Sequence, residues 1–146
     1  MEQALENKLK SSTYERLTAG GFILAGGAVA AAIGFFNPVT AGFFPVCPLY
    51  AVTGIYCPGC GLTRGFHALF HGDVLSALHF NAMLPFYAFL LGYVFISTLL
   101  IAVRGRGLSY KVFRPWLLYG FLAVSLTYMV LRNIPGYPFN LLAPLN

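Results

Sequence analysis

Three long apolar runs without a charged residue constrain this fold more than any other feature. They cover residues 17–36, 82–103 and 115–131. A helix needs about 20 apolar residues to cross the hydrocarbon core of a bilayer, and about 17 at the short end. Charged residues make up only 9% of the 146 residues, too few to coat a soluble domain. The sequence predicts an all-α membrane protein with three transmembrane helices in a single integral-membrane domain, residues 1–146.

The basic residues indicate an orientation. The net charge is +5, but seven of the nine basic residues flank the apolar runs: Lys8, Lys10, Arg16, Arg104, Arg106, Lys111 and Arg114. Short cytoplasmic loops carry such an excess of lysine and arginine. The N-terminus and the 104–114 loop are therefore predicted inside, and the segment 46–81 and the C-terminus outside. This distribution favours lipid as the partner and excludes a nucleic-acid groove.

The segment 46–81 contains all three cysteines and all three histidines. Prolines and glycines in residues 37–56 predict an irregular loop. A helix over 60–71 would place four reactive side chains within a sector of about 60°. Those four are Cys60, Arg64, His67 and His71, with Leu62, Phe66 and Leu69 opposite. Because 12 residues reach only about 18 Å, this helix is predicted to be amphipathic or re-entrant on the outer face.

Thiol–disulfide chemistry is one use of this segment. Cys57 and Cys60 form a C-x-x-C pair at a helix start, where the helix dipole and Arg64 favour a thiolate. These three residues are the candidate catalytic set. Cys47 would be a third, resolving or exchanging thiol.

Metal binding is a second use. Cys47, Cys57 and Cys60 with a histidine would make a set suited to zinc or copper. His67 and His71, four residues apart, supply the candidate nitrogen ligands. The fixed positive charge of Arg64 on the same helix face opposes a metal cation there.

Two further alternatives stay open. Arg64 and Thr63 near a helix N-terminus can bind an anion or a phosphate headgroup. The cysteines can also form a structural disulfide in a non-enzymatic accessory subunit, bound to a membrane-protein partner or to a second copy. No Ser/His/Asp set indicates a hydrolase, and the sequence leaves open whether the protein is an enzyme.

Polar residues around the apolar runs have structural interpretations. Asp73 is predicted to cap a short helix over 74–80, and Asn81 to cap the helix of the second run. Arg132 with Asn133 is an exception to the inside location of arginines, which favours an inward role on the cysteine segment. Tyr128, with Trp116 and Tyr119, is interpreted as an interfacial aromatic residue.

The string "CPGCGLTRGFHALFHGD", with an asparagine before an apolar run and "LRNIP" after the last one, resembles a family of small bacterial membrane proteins of unknown function. Its signature is C-P-x-C-G-[LM]-T-R, and the resemblance covers about Cys47 to Pro135. It implies the bacterial cytoplasmic membrane and no established activity. Here Ala82 follows the asparagine, where family members often have proline. The signature positions are Cys47, Cys57, Pro58, Cys60, Gly61, Thr63, Arg64, His67, Gly72, Asp73, Asn81, Arg132 and Asn133.

Overall fold

A computed structural model describes residues 13–109 and 114–143 of the chain. Within them the structure is helical, without a strand. Three of the basic residues that predict the orientation lie outside the described residues: Lys8, Lys10 and Lys111. The elements are α1 (Thr13–Phe35), α2 (Pro48–Thr53), α3 (Leu62–Phe70), α4 (Val74–Phe80), α5 (Leu84–Arg104), α6 (Pro115–Leu131) and a 3-10 turn (Phe139–Leu142).

Two of these helices are long and apolar enough to cross a membrane. α1 has 23 residues and a mean hydropathy of 1.8, and α5 has 21 residues and a mean hydropathy of 2.2. α6 is apolar but has only 17 residues, which gives a length of about 25 Å. The all-α class is confirmed, with two candidate spans and a third, shorter apolar helix.

The chain divides into two compact units, and the first combines Met1–Ala31 with Ala88–Val112. In it, Arg16 near the start of α1 contacts the last turn of α5. Its Nε donates to the Ala102 carbonyl at 3.1 Å and its Nη2 to the Val103 carbonyl at 3.0 Å. The last carbonyls of a helix have no partner within the helix, so this arginine satisfies two of them.

The second unit, Ala32–Tyr87 with Phe113–Asn146, contains the cysteine segment. Its core is small and joins α3, α4 and the start of α5 through Ala68, Ala77 and Leu84. Leu62, Leu69 and Phe80 pack against that core. Leu62 and Leu69 of the predicted apolar face of α3 therefore pack on protein, which orients this helix within the unit.

α3 begins two residues later than the sequence predicted. Gly61 precedes it with φ of 83°, in the left-handed region, so the chain cannot continue helically from Cys60 into Leu62. Cys60 instead ends a turn in which its N–H donates to the Cys57 carbonyl at 3.1 Å. The predicted helical stripe is thus wrong for Cys60, although Arg64 and His67 lie on α3 and His71 ends it.

The prediction of an irregular loop over 37–56 is wrong in its second half. Pro48 occupies the first turn of α2, where a fixed φ favours helix and no N–H is needed. Gly54, with φ of 72°, ends the helix. The proline and the glycine that predicted a loop thus mark the two ends of a short helix. Cys47 is the N-cap residue of this helix.

Asp73 and Asn81 both cap local structure. The Asp73 carboxylate accepts from the Ser76 N–H at 3.0 Å at the start of α4. The Asn81 side-chain oxygen accepts from the Met83 N–H at 2.9 Å directly before α5. These two contacts set the turns on either side of α4.

Gly65 gives the first prediction, because a Cβ there would lie 2.5 Å from Leu84 Cδ1 and 3.1 Å from the Ala77 carbonyl. Gly65→Ala should destabilise the folded protein by about 1–3 kcal/mol through overpacking. The matched control is Gly120→Ala in α6, where nothing lies within 4 Å of the added carbon. Thermal unfolding in mild detergent measures both, and equal melting temperatures for the two variants would contradict the packing of α3 on α4.

Candidate metal centre

The three cysteine side chains meet at one point of the second unit. The Sγ atoms of Cys47 and Cys57 are 3.3 Å apart, and those of Cys57 and Cys60 are 3.2 Å apart. All three sulfurs lie within 4.8 Å of one another. A disulfide requires about 2.05 Å, so the three cysteines are free thiols and the structural-disulfide hypothesis has no support. Such a group can hold a metal ion.

Local backbone structure brings these sulfurs together. Cys47 stands at the N-cap of α2, and a short irregular segment after this helix leads the chain to Cys57. The turn from Cys57 to Cys60 then places its two sulfurs side by side, and the Cys57 N–H donates to the Cys60 sulfur at 3.2 Å. α2 and this tight turn therefore position the cluster.

Arg132, directly after α6, holds this turn from the protein interior. Its side chain is only 2% exposed. Nη1 donates to the Cys57 carbonyl at 2.9 Å and to the Cys60 carbonyl at 3.2 Å, and Nη2 donates to the Cys60 carbonyl at 3.2 Å. The guanidinium carbon lies 4.9 Å from the Tyr128 ring centre and 5.7 Å from that of Tyr56. The turn therefore has a buried positive charge against its backbone.

Two asparagines complete the support of the turn. Asn81 is fully buried, and its amide donates to the Pro58 carbonyl at 2.8 Å and to the Cys60 carbonyl at 3.2 Å. Asn133 pairs with Tyr56, whose N–H donates to its side-chain oxygen at 2.8 Å and whose carbonyl accepts from its amide at 2.9 Å. The backbone from Tyr56 to Cys60 is thus fixed by three side chains from distant parts of the sequence.

The cluster contains one thiol that loses its proton easily and one that holds its proton tightly. The Tyr50 backbone N–H lowers the pKa of Cys47 to about 7, helped by the Cys57 and Cys60 thiols. Burial raises the pKa of Cys60 to about 12, and the neighbouring thiols add to the rise. The sequence predicted the activated thiol in the C-x-x-C pair, whereas the thiol with the lowered pKa is that of Cys47, at the N-cap position of α2 ten residues before Cys57.

A pocket of about 200 Å³ adjoins the cluster. Cys47 and Cys60 line it, together with Thr63 and Arg64 of α3. The rings of Tyr50 and Tyr56, also in its lining, stack with centres 4.6 Å apart. The pocket therefore combines two of the thiols, a cation and an aromatic wall.

The predicted histidine ligands lie in other contacts. His67 Nδ1 is 2.7 Å from the Ile33 carbonyl, and His71 Nδ1 is 2.8 Å from the His67 carbonyl. Among the described residues, the group of converging ligand atoms contains only the cysteine sulfurs. The structure thus brings Cys47, Cys57 and Cys60 together, and a histidine ligand stays a prediction.

Three tyrosines around the centre had no predicted role there. Tyr128 is buried rather than interfacial, and its hydroxyl accepts from the Ala82 N–H at 3.2 Å. Its position four residues before Arg132 on one helix face was an available signal. Tyr50 and Tyr56 lie in a segment without periodicity, so no sequence signal marked them.

Fold and site together define a helical protein with apolar helices and a three-cysteine group that can bind metal. Residues 47–95 match the family described as "Protein of unknown function (DUF2752)". The match begins at Cys47, includes all three cysteines, and fits the resemblance to a family of unknown function. No curated protein and no solved structure matches the chain.

The two shifted thiols give a reactivity prediction. Because the thiolate is the nucleophile, alkylation of Cys47 by iodoacetamide should rise with pH and be half-maximal near its pKa of about 7. Cys60, with a pKa of about 12, should react about a hundredfold or more slowly at pH 8. Peptide mapping of the intact protein after timed alkylation measures both rates. Faster labelling of Cys60 than of Cys47 is the contradicting result.

Arg132 gives a stability prediction. Lysine retains the charge but cannot donate to both carbonyls in the planar geometry of arginine, so Arg132→Lys should cost about 1–3 kcal/mol. Arg114→Lys at the start of α6 is the matched control, because this arginine is exposed. Chemical unfolding in detergent measures the stability of both variants. An unchanged midpoint for Arg132→Lys would show that the Cys57–Cys60 turn does not depend on the paired hydrogen bonds of the guanidinium.

Proposed function

We propose that the protein is a bacterial membrane protein that binds zinc, or another thiophilic divalent ion, through Cys47, Cys57 and Cys60. The observation that carries this proposal is the convergence of three free sulfurs within 4.8 Å. Thiolates prefer soft and borderline ions such as zinc and copper(I). The protein ligand set is cysteine alone, without His67 or His71.

The sulfur spacing fits a metal with little rearrangement. Zinc–sulfur bonds of about 2.3 Å in tetrahedral geometry separate two sulfurs by about 3.8 Å. The two shorter separations in the cluster are 3.2 and 3.3 Å, so each pair opens by about half an ångström on binding. Metal binding displaces the thiol protons, and Cys47 loses its proton most easily because its pKa is about 7.

The buried charge of Arg132 favours a divalent ion. Three thiolates and a divalent ion carry one net negative charge, which the guanidinium balances. A monovalent copper complex would leave one charge unbalanced in the same buried place, where an unpaired charge is costly. Among the described residues no carboxylate pairs with Arg132, and its Nε donor is buried without a partner. A thiolate complex supplies the missing negative charge.

The proposed topology has three spans, with the N-terminus inside and the cysteine site outside. Two helices pass the length and hydropathy requirements, and α6 with 17 residues is at the short limit. The contact of Arg16 with the Ala102 and Val103 carbonyls supports a common side for the start of α1 and the end of α5. Both ends carry the basic residues typical of the cytoplasmic face.

Thiol–disulfide exchange is the second candidate, favoured by the acidic Cys47 thiol 3.3 Å from Cys57. The Cys47 thiolate would attack a partner disulfide and release one partner thiolate. Cys57 would then attack the Cys47 sulfur and release the second, which leaves a Cys47–Cys57 disulfide and a reduced partner. No contact among the described residues favours the accessory-subunit hypothesis over these two.

Metal loading tests the proposal. The purified chain in mild detergent should bind one zinc or cobalt(II) ion, with a sulfur-to-cobalt charge-transfer band in the near ultraviolet. Cys57→Ser should reduce the intensity of the band and weaken binding by about a hundredfold or more, because one of the three charged sulfur ligands is lost. His71→Ala is the matched control and should bind as tightly as the parent chain.

Two outcomes would overturn the metal assignment. The first is a chain that binds neither ion above the level of its Cys57→Ser variant. The second is a metal-free chain that accumulates a Cys47–Cys57 disulfide with oxidised glutathione, which would assign thiol exchange instead. Loss of binding in His71→Ala would replace the three-cysteine set with one that includes histidine.

A further inference from the structure

We infer that the pocket beside the cluster admits a small organic anion, which becomes the fourth ligand of the metal and pairs with Arg64. This inference rests on the proposed metal site and extends it from a closed structural centre to a ligand-binding one. Closed structural zinc sites have four protein ligands, whereas open sites have three and leave the fourth position to water or substrate.

The number of protein ligands is the first argument. The converging group consists of three cysteine sulfurs, and within residues 13–109 and 114–143 no histidine, aspartate or glutamate joins it. Zinc and cobalt(II) prefer four ligands in a sulfur-rich site. Since no described side chain fills the fourth position, we assign it to a molecule from outside the chain.

The location of the pocket is the second argument. Arg132 and Asn81 occupy the backbone side of the Cys57–Cys60 turn, through its carbonyl groups. Cys47 and Cys60 line the pocket, whereas Arg132 and Asn81 do not. A ligand in the pocket can thus approach the metal without displacing the groups that hold the turn.

The size of the pocket limits the ligand. A volume of about 200 Å³ equals that of about seven waters, and it is below the range of about 300–1,000 Å³ typical of drug-sized ligands. The pocket therefore suits a small metabolite or a single acidic headgroup fragment.

The charge and the aromatic residues of the pocket lining define the chemical class of the ligand. Arg64 and Thr63 contribute a cation and a hydroxyl, and none of the residues that line the pocket is acidic. Charge-assisted bonds from arginine to carboxylate or phosphate are among the strongest polar contacts. The stacked rings of Tyr50 and Tyr56 accept an apolar part. Binding then exchanges a metal–water bond for a metal–ligand bond, with water released and no electron transferred.

Two probes on the cobalt(II)-loaded chain test this inference. Thiocyanate is a small anion and imidazole is neutral, and both ligate an open metal position. Each should change the visible cobalt bands on titration. Arg64→Gln should weaken thiocyanate binding about tenfold or more, because one charge-assisted contact is lost, and leave imidazole binding unchanged. Arg64→Lys should recover part of the anion affinity, and Arg104→Gln, outside the pocket, should leave both affinities unchanged.

The outcomes of these titrations test the metal site and its open fourth position separately. Cobalt bands that respond to neither probe would show a closed centre and overturn the inference, with the metal site intact. Thiocyanate affinity that is the same in Arg64→Gln and the parent chain would overturn the anion assignment. The absence of sulfur-to-cobalt bands in the parent chain would contradict the proposed metal site itself, and with it the inference that rests on that site.

Discussion

The hydrogen bonds from the Arg132 guanidinium to the Cys57 and Cys60 carbonyls are the interaction on which the rest of the site depends. They join a residue at the end of α6 to a turn more than 70 positions earlier in the sequence. Burying an arginine that is only 2% exposed costs desolvation free energy. That cost is offset only where its N–H groups have acceptors and its charge is balanced. The carbonyls supply the acceptors, and a negatively charged thiolate complex would supply the balance.

The same contacts explain why the cysteines form a compact cluster in so small a core. Ala68, Ala77 and Leu84 bury little apolar surface, so packing alone would hold the turn weakly. Arg132, Asn81 and Asn133 replace that missing packing with directed hydrogen bonds to the backbone between Tyr56 and Cys60. These contacts fix the backbone of the turn, and the three sulfurs form a group that could hold a metal ion, with Cys47 and Cys60 in the lining of the adjoining pocket.

The sequence predicted the helical class and the apolar helices, because composition and the spacing of charges depend on the residue types alone. The contact of Arg132 with the cysteine segment was expected because this arginine departs from the predicted inside location of most other arginines. The helical wheel failed for Cys60 because the left-handed Gly61 separates it from α3. Periodicity also could not show that Cys47 approaches Cys57 or that Tyr50 and Tyr56 stack, since both depend on how a loop folds back.

X-ray absorption at the zinc edge of the metal-loaded protein tests whether Cys47, Cys57 and Cys60 bind the ion, because it identifies the atoms of the first coordination shell. We expect three sulfur scatterers at about 2.3 Å and one nitrogen or oxygen scatterer at about 2.0–2.1 Å. The light scatterer would be water or a bound small molecule at the open position. A first shell of nitrogen and oxygen without sulfur would contradict the account, because the ion would then be bound away from Cys47, Cys57 and Cys60.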